Sequence, residues 1–267
     1  MSTFIYNNLI GGTILGKIIS FSNQKGGVGK TTSAVNVASS LGVLGYKVLL
    51  IDLDPQGNAT SGVGIAKKNL KASIFDVLLK ETSAKDAVIS TEFKNLDIIP
   101  ANIALAGAEY NLYQVKGAEN IMKEALAPLK EVYDYIIIDC PPSLSMLTVN
   151  AMVASDGVII PMQCEFYALE GLAQLTVTIN RIKANFNSNL NITGILITMY
   201  NSRLILSLQV INELNKHYSD KLFHTHVSRG VKVSEAPGFG MPVYYHDKRS
   251  KGSNEYLAIA KELASRI

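Results

Sequence analysis

The residues best suited to chemistry in this sequence are Gln24-Lys25-Gly26-Gly27-Val28-Gly29-Lys30-Thr31-Thr32. They follow a short apolar run and open a helical period, so the glycines fall in a strand-to-helix turn. Glycine lets the backbone approach a phosphate with no Cβ in the way, and a helix N-terminus presents free N–H groups to an anion. At this spacing Lys30 reaches the β- and γ-phosphates of a nucleotide, and the Thr31 hydroxyl ligates Mg²⁺. The usual motif has glycine five residues before Gly29; here that position is Gln24, and a second lysine, Lys25, heads the loop. Two apolar runs end in carboxylates that suit the same site. Tyr135–Asp139 closes on Asp139, placed to hold Mg²⁺. Asp52 and Asp54 follow Val48–Ile51 and, two residues apart, fall on one side of an extended chain.

Such groups meet only if the elements carrying them are arranged to bring them together. Short β-branched runs alternate with helical periods, which predicts βα units around a mainly parallel sheet. The expected strands are Lys17–Phe21, Val48–Leu53, Leu96–Ile99, Tyr135–Asp139, Gly157–Pro161, Ile192–Met199 and Leu222–Val227. Most are continuously apolar, which suits central strands covered on both faces. After the glycine turn, Ala34, Val37, Ala38 and Leu41 mark one buried helix face. Further helices are expected near 103–113, 117–129, 166–184, 205–216 and 253–266. The fold class is α/β, a single-domain P-loop NTPase with a mainly parallel, helix-flanked central sheet. In such a sheet the carboxyl ends of the strands gather at one edge, where ligands bind.

Composition agrees with a globular chain. At 267 residues it can bury roughly three-quarters of its unfolded surface. Hydrophobic residues make up 48% and charged residues 18%, and the net charge of +3 does not by itself indicate a nucleic-acid partner. Cys140 and Cys164 sit in apolar runs and build no disulfide framework, which suits a reducing compartment. The apolar runs are too short to span a bilayer. Residues 1–16 lack a basic leader and a long apolar core, and are expected to form a flexible N-terminal extension to an ATPase domain over 17–267. His224 and His226 lie two apart on an expected strand, in no metal-binding pattern.

Together these residues resemble the deviant Walker A ATPases of the MinD/ParA superfamily, and within them the ParA/Soj partition family. Lys25–Thr32 (KGGVGKTT) carries the superfamily signature. Four further blocks narrow it: LLIDLDPQGNAT (Leu49–Thr60), DCPPSLSMLTVNA (Asp139–Ala151), QCEFYALEGL (Gln163–Leu172) and VSEAPGFGMPV (Val233–Val243). The resemblance implies an ATPase that uses ATP and Mg²⁺ and closes into an ATP-bound homodimer. It implies that Lys25 reaches the partner subunit's ATP while Lys30 holds the phosphates of its own. Gly26, Gly27, Val28, Gly29, Thr31 and Thr32 would complete the cradle, Thr31 and Asp139 would serve the metal, and Asp54 would position the attacking water. Met199, Asn201 and Arg229 fall where relatives contact the base.

Between Arg181 and Lys251 stand ten basic residues and four acidic ones. The resemblance implies that Arg203, Arg229 and Lys232 bind double-stranded DNA without sequence preference, and that a ParB-like centromere-binding protein stimulates hydrolysis. Relatives commonly show Asp-x-Arg-Thr where this chain has Asn201-Ser202-Arg203-Leu204, and Pro-Arg-Asn-Val-Arg in place of Ser228–Lys232. The arginines persist while their neighbours change. The implied location is cytoplasmic and nucleoid-associated, with plasmid or chromosome DNA segregated. A MinD-like membrane ATPase would need an amphipathic tail with a basic face, but Glu255–Ile267 carries mixed charge, so no membrane partner is expected. The remaining alternatives are positioning of a protein cluster, an electron-transfer ATPase needing cluster-binding cysteines, and a scaffold holding ATP structurally.

Overall fold

In the computed structural model, which describes residues 15–267, the apolar runs form one seven-stranded sheet. The strands are β1 (Lys17–Phe21), β2 (Val48–Asp52), β3 (Ile89–Ser90), β4 (Leu96–Ile99), β5 (Tyr135–Asp139), β6 (Gly157–Gln163) and β7 (Asn191–Thr198). Their order is β3-β4-β2-β5-β1-β6-β7, and only the β3–β4 pairing is antiparallel. The chain leaves β1 toward β2 on one side and later returns through β5 to β6 on the other. The strand order therefore reverses at β1, and a crevice opens at its carboxyl end.

The helices are α1 (Lys30–Leu44), α2 (Asn58–Gly62), α3 (Ile74–Leu78), α4 (Leu105–Tyr113), α5 (Ile121–Leu126) and α6 (Met146–Ala154), followed by α7 (Ala168–Asn185), α8 (Ile205–Tyr218), α9 (Val231–Glu235), α10 (Val243–His246) and α11 (Lys251–Arg266). Side-chain alternation along the strands divides the core. Leu49 and Ile51 of β2 and Ile136 and Ile138 of β5 pack with α3–α6. Val48, Leu50, Tyr135 and Ile137 face the opposite layer, where Ala34, Val37, Ala38 and Leu41 of α1 meet Tyr256, Ile259, Ala260 and Leu263 of α11. A third cluster seats α7 and α8 on β6 and β7. The apolar stripe of the C-terminal helix is thus spent on α1.

Several expectations change, among them the helix near 117–129, which is α5 between two 3-10 turns. Leu222–Val227 is not a regular strand; it meets β7 through the isolated Ile195–Leu222 bridge and through the Phe223 and Val227 N–H groups, which donate to the Ile195 and Ile197 carbonyls at 3.0 and 2.8 Å. The C-terminal helix takes other backbone groups of this stretch. Glu262 accepts the His224 N–H at 3.0 Å, and the Arg266 guanidinium donates to the carbonyls of Lys221 and Leu222 at 3.1 and 2.7 Å. The antiparallel edge strand β3, two residues long, is too short to show a period. Of the expected extension over residues 1–16, residues 1–14 lie outside the described residues. Gly16 belongs to the body, its N–H donating to the Lys130 carbonyl at 2.7 Å.

Gly42 fixes the far end of α1. A Cβ there would stand 2.3 Å from the backbone carbonyl oxygen of Lys94, the residue two before β4. Alanine would add up to about 1 kcal/mol of helix propensity, but overpacking against backbone that cannot rotate away costs about 1–3 kcal/mol. The clash wins, and Gly42→Ala is expected to lower the urea unfolding midpoint. An unchanged or higher midpoint would mean that the β4 approach yields freely.

Candidate nucleotide site

The loop between β1 and α1 lies at the crevice. Gly27 and Gly29 adopt φ of +74° and +81°, the left-handed region that side chains disfavour. Nothing lies within 4 Å of a Cβ built at Gly26 or Gly27, so the space above the loop is open. Gly29 caps α1 with no side-chain cap, and no acidic residue enters the first turn, leaving its N–H groups available to an anion.

The loop's carbonyls are held away from that space by donors beneath it. Thr198, ending β7, donates its hydroxyl to the Val28 carbonyl at 2.8 Å; Gln163, ending β6, donates its amide to the Gly27 carbonyl at 2.8 Å. The Lys30 ammonium donates to the Lys25 carbonyl at 3.0 Å. With these carbonyls engaged, the amides of the glycine turn are left to the open side, while the Lys25 N–H is taken by Asn23 Oδ1 at 3.0 Å. Neither Thr198 nor Gln163 was expected from the sequence. The only local signal is a polar residue closing an apolar strand.

Lys30 is 7% exposed. Burial lowers its pKa, while the nearby Asp139, Cys140 and Asp54 oppose that shift. Asp139 is fully buried, and neither of its oxygens has a hydrogen-bond partner among the described residues. Burial pushes its carboxyl well above the usual range and Asp52 adds to the rise, with Thr31 and Lys30 pulling the other way. An orphaned buried carboxylate is costly unless a cation or ordered water meets it. Asp139, with Thr31 at the head of α1, therefore fits a divalent cation bound together with phosphate oxygens.

Asp52 behaves differently. It sits in register with Asp139, on the same face of the sheet. Its carboxylate is also buried but fully engaged: Oδ2 accepts the N–H and the hydroxyl of Thr60, both at 2.7 Å, and Oδ1 accepts the Asp54 N–H at 3.2 Å. Burial raises its pKa to about 6 against these bonds. The strand ends at Asp52, so the expected shared side of Asp52 and Asp54 does not arise. Asp54 instead stands half-buried in a turn, its Oδ1 accepting the Gln56 N–H at 2.9 Å.

Lys25 is half-exposed and ion-paired with Glu165, just past β6. Beside the loop lies a cavity of about 200 Å³ lined by Gly29, Thr32, Met199, Arg229 and Tyr256 among others. Two of the three expected base contacts thus border it. Asn201 does not; its side chain accepts the Arg203 N–H at 3.0 Å. Met199 carries φ of +50°, a strained conformation for a non-glycine residue. Glu255 of α11 holds the Arg229 loop, accepting the Ser228 N–H at 2.9 Å and its hydroxyl at 2.7 Å.

Arg203, Arg229 and Lys232 are all exposed. The Tyr200–Ser228 bridge brings the first two onto neighbouring loops. Lys232 is partly neutralised by Glu235 at 2.9 Å. Both cysteines are free; Cys140 is buried and Cys164 half-buried. Among the described residues, no cluster of histidine, cysteine and acidic side chains is placed to hold a metal, and no helix is long and apolar enough to cross a membrane.

Comparisons with known proteins agree on the fold and extend beyond it. Residues 16–192 match the family described as an AAA domain (AAA_31). The sporulation initiation inhibitor protein Soj of Bacillus subtilis is 50% identical over 251 residues, covering 94% of this chain and 99% of that protein. The chromosome partitioning protein ParA of Myxococcus xanthus is 47% identical, covering 96% of this chain and 90% of its own. A crystal structure of cobyrinic acid a,c-diamide synthase from Mycobacterium smegmatis, with bound ADP and magnesium, is 35% identical. It covers 94% of each chain with a TM-score of 0.82.

Proposed function

This chain belongs to the Soj/ParA family of chromosome-partitioning P-loop ATPases, and from that premise we propose that it is an ATP-switched DNA-partition enzyme. It binds MgATP at the loop 24–32, closes into a sandwich homodimer, grips duplex DNA without sequence preference and hydrolyses ATP when a ParB-like partner stimulates it. The observation that carries this reading is the convergence at one crevice of buried Lys30, the orphaned carboxylate of Asp139, and Asp54. Thr31 and Asp139 would hold Mg²⁺, whose charge offsets that of the phosphates. Asp54, on a turn near Lys30, would orient the attacking water.

Phosphoryl transfer depends mainly on positioning and on charge placed at the transferred group. A cation delivered by a second subunit can therefore act as a switch. Lys25 suits that role because its pair with Glu165 is half-exposed, and such pairs contribute only about 0–1 kcal/mol. Leaving Glu165 to reach a partner's nucleotide costs little.

Arg203 and Arg229 lie on adjacent loops, and a dimer doubles their number. Weak phosphate contacts then add within one complex, linking DNA binding to nucleotide state. The packing of α11 against α1 favours DNA over a bilayer as the track, since Tyr256, Ile259 and Leu263 are buried between the helices. The site of action is the nucleoid, in the cytoplasm.

The test is duplex DNA binding without nucleotide, with ADP and with ATP, for the parent and for Lys25→Ala. Binding is expected with ATP alone and is lost in the variant. If a dimer meets about six phosphates, raising salt from about 50 to 200 mM weakens binding roughly a thousandfold. DNA binding indifferent to nucleotide, or intact in Lys25→Ala, would remove the dimer switch.

A further inference from the structure

The two carboxylates that lie side by side at the ends of β2 and β5 are not equivalent. Asp139 has no hydrogen-bond partner, whereas Asp52, its register neighbour, is filled by three donors. All three come from the segment that carries Asp54: the Asp54 N–H at one end, and the N–H and hydroxyl of Thr60 at the other. The Thr60 hydroxyl does double duty. It donates to Asp52 and accepts the N–H of Ala101, just beyond β4, at 2.9 Å. Thr60 and Asp52 are both fully buried, so water does not compete for these bonds.

From this asymmetry we infer a division of labour: Asp139 is left for the cation, and the Asp52–Thr60 pair is a clamp that positions Asp54. The inference rests on the reading of Asp54 as the residue that orients water. The clamp ties both ends of the Asp54–Thr60 turn to one buried anion and, through Ala101, to the neighbouring strand end. Between these anchors the turn is short: the Gly57 N–H donates back to the Asp54 carbonyl at 2.8 Å, and Gly57 takes a left-handed φ of +64°. An aspartate that acts on a water molecule must be held to within a fraction of an ångström, and a loop tied at one end only does not do that. Thr60 and Asp52 are thus positioning residues that act through Asp54.

The test replaces Thr60 by valine, which keeps its shape and removes the hydroxyl, and by serine, which keeps the hydroxyl. In Thr60→Val, kcat is expected to fall about tenfold or more while KM and the affinity for a fluorescent ATP analogue stay within about threefold. Backbone amides across 54–61 exchange faster with deuterium in the nucleotide-free variant. Thr60→Ser restores both kcat and slow exchange. If the valine variant does not fold, Thr60→Ala carries the same prediction, because it deletes the hydroxyl without adding bulk. Parental kcat and parental amide exchange in Thr60→Val or Thr60→Ala would overturn the clamp. A parent protein that binds no ATP would instead overturn the functional reading on which the clamp rests.

Discussion

Lys30→Ala is expected to lose both nucleotide binding and turnover. The ammonium lies buried, donates to the loop's own carbonyl at Lys25, and stands near Asp139 and Asp54. Without it, the site presents two carboxylates to a polyanionic ligand. Truncating one partner of a buried charged contact costs about 2–5 kcal/mol, so ATP affinity is expected to fall by roughly thirtyfold to several-thousandfold. The same cation acts on the charge of the transferred group, where a positioned positive charge contributes about 10³–10⁵ in rate. Titration with a fluorescent ATP analogue and a phosphate-release assay measure the two effects separately. Retained affinity in Lys30→Ala would mean that the loop amides alone hold the phosphates, and the reading of the site would have to change.

Asp54→Ala is expected to separate what Lys30→Ala loses together. Asp54 lies half-buried on its turn and its side chain makes one local bond, to the Gln56 N–H, so its removal costs about 0.5–1.5 kcal/mol of stability. Nucleotide affinity is expected to stay within a few-fold. Removing a positioned acid or base group lowers turnover by about 10²–10⁴. Because the ATP state then persists, ATP-dependent DNA binding outlasts that of the parent. The measurement is the rate of phosphate release beside the lifetime of the DNA complex after excess ATP is removed. A variant that hydrolyses normally would assign water positioning to another group.

Together the two variants divide the site into parts that hold phosphate and parts that turn it over. The Asp52–Thr60 clamp predicts a third pattern, lost turnover with a loosened loop, which neither Lys30→Ala nor Asp54→Ala should produce.

Much of this was legible in the sequence, because it is encoded locally. The β1–loop–α1 unit is a run of adjacent residues whose glycines, lysine and threonine are set by spacing alone. Most central strands are apolar runs, and β2, β5, β6 and β7 end on Asp52, Asp139, Gln163 and Thr198. Periodicity even placed the buried face of α1 at Ala34, Val37, Ala38 and Leu41. The tertiary structure decided what depends on partners distant along the chain. Thr198 meets Val28 across 170 residues and Gln163 meets Gly27 across 136, and no local pattern announces either bond. Leu222–Val227 reads as a strand by its own composition, yet it shares its backbone groups between β7 and α11: Phe223 and Val227 donate to β7, while the His224 N–H and the Leu222 carbonyl go to Glu262 and Arg266. Asp52 and Asp139 look alike as acidic ends of apolar strands. Only the fold, by bringing Thr60 onto one and leaving both oxygens of the other unpaired, commits the first to holding a loop and leaves the second for a cation.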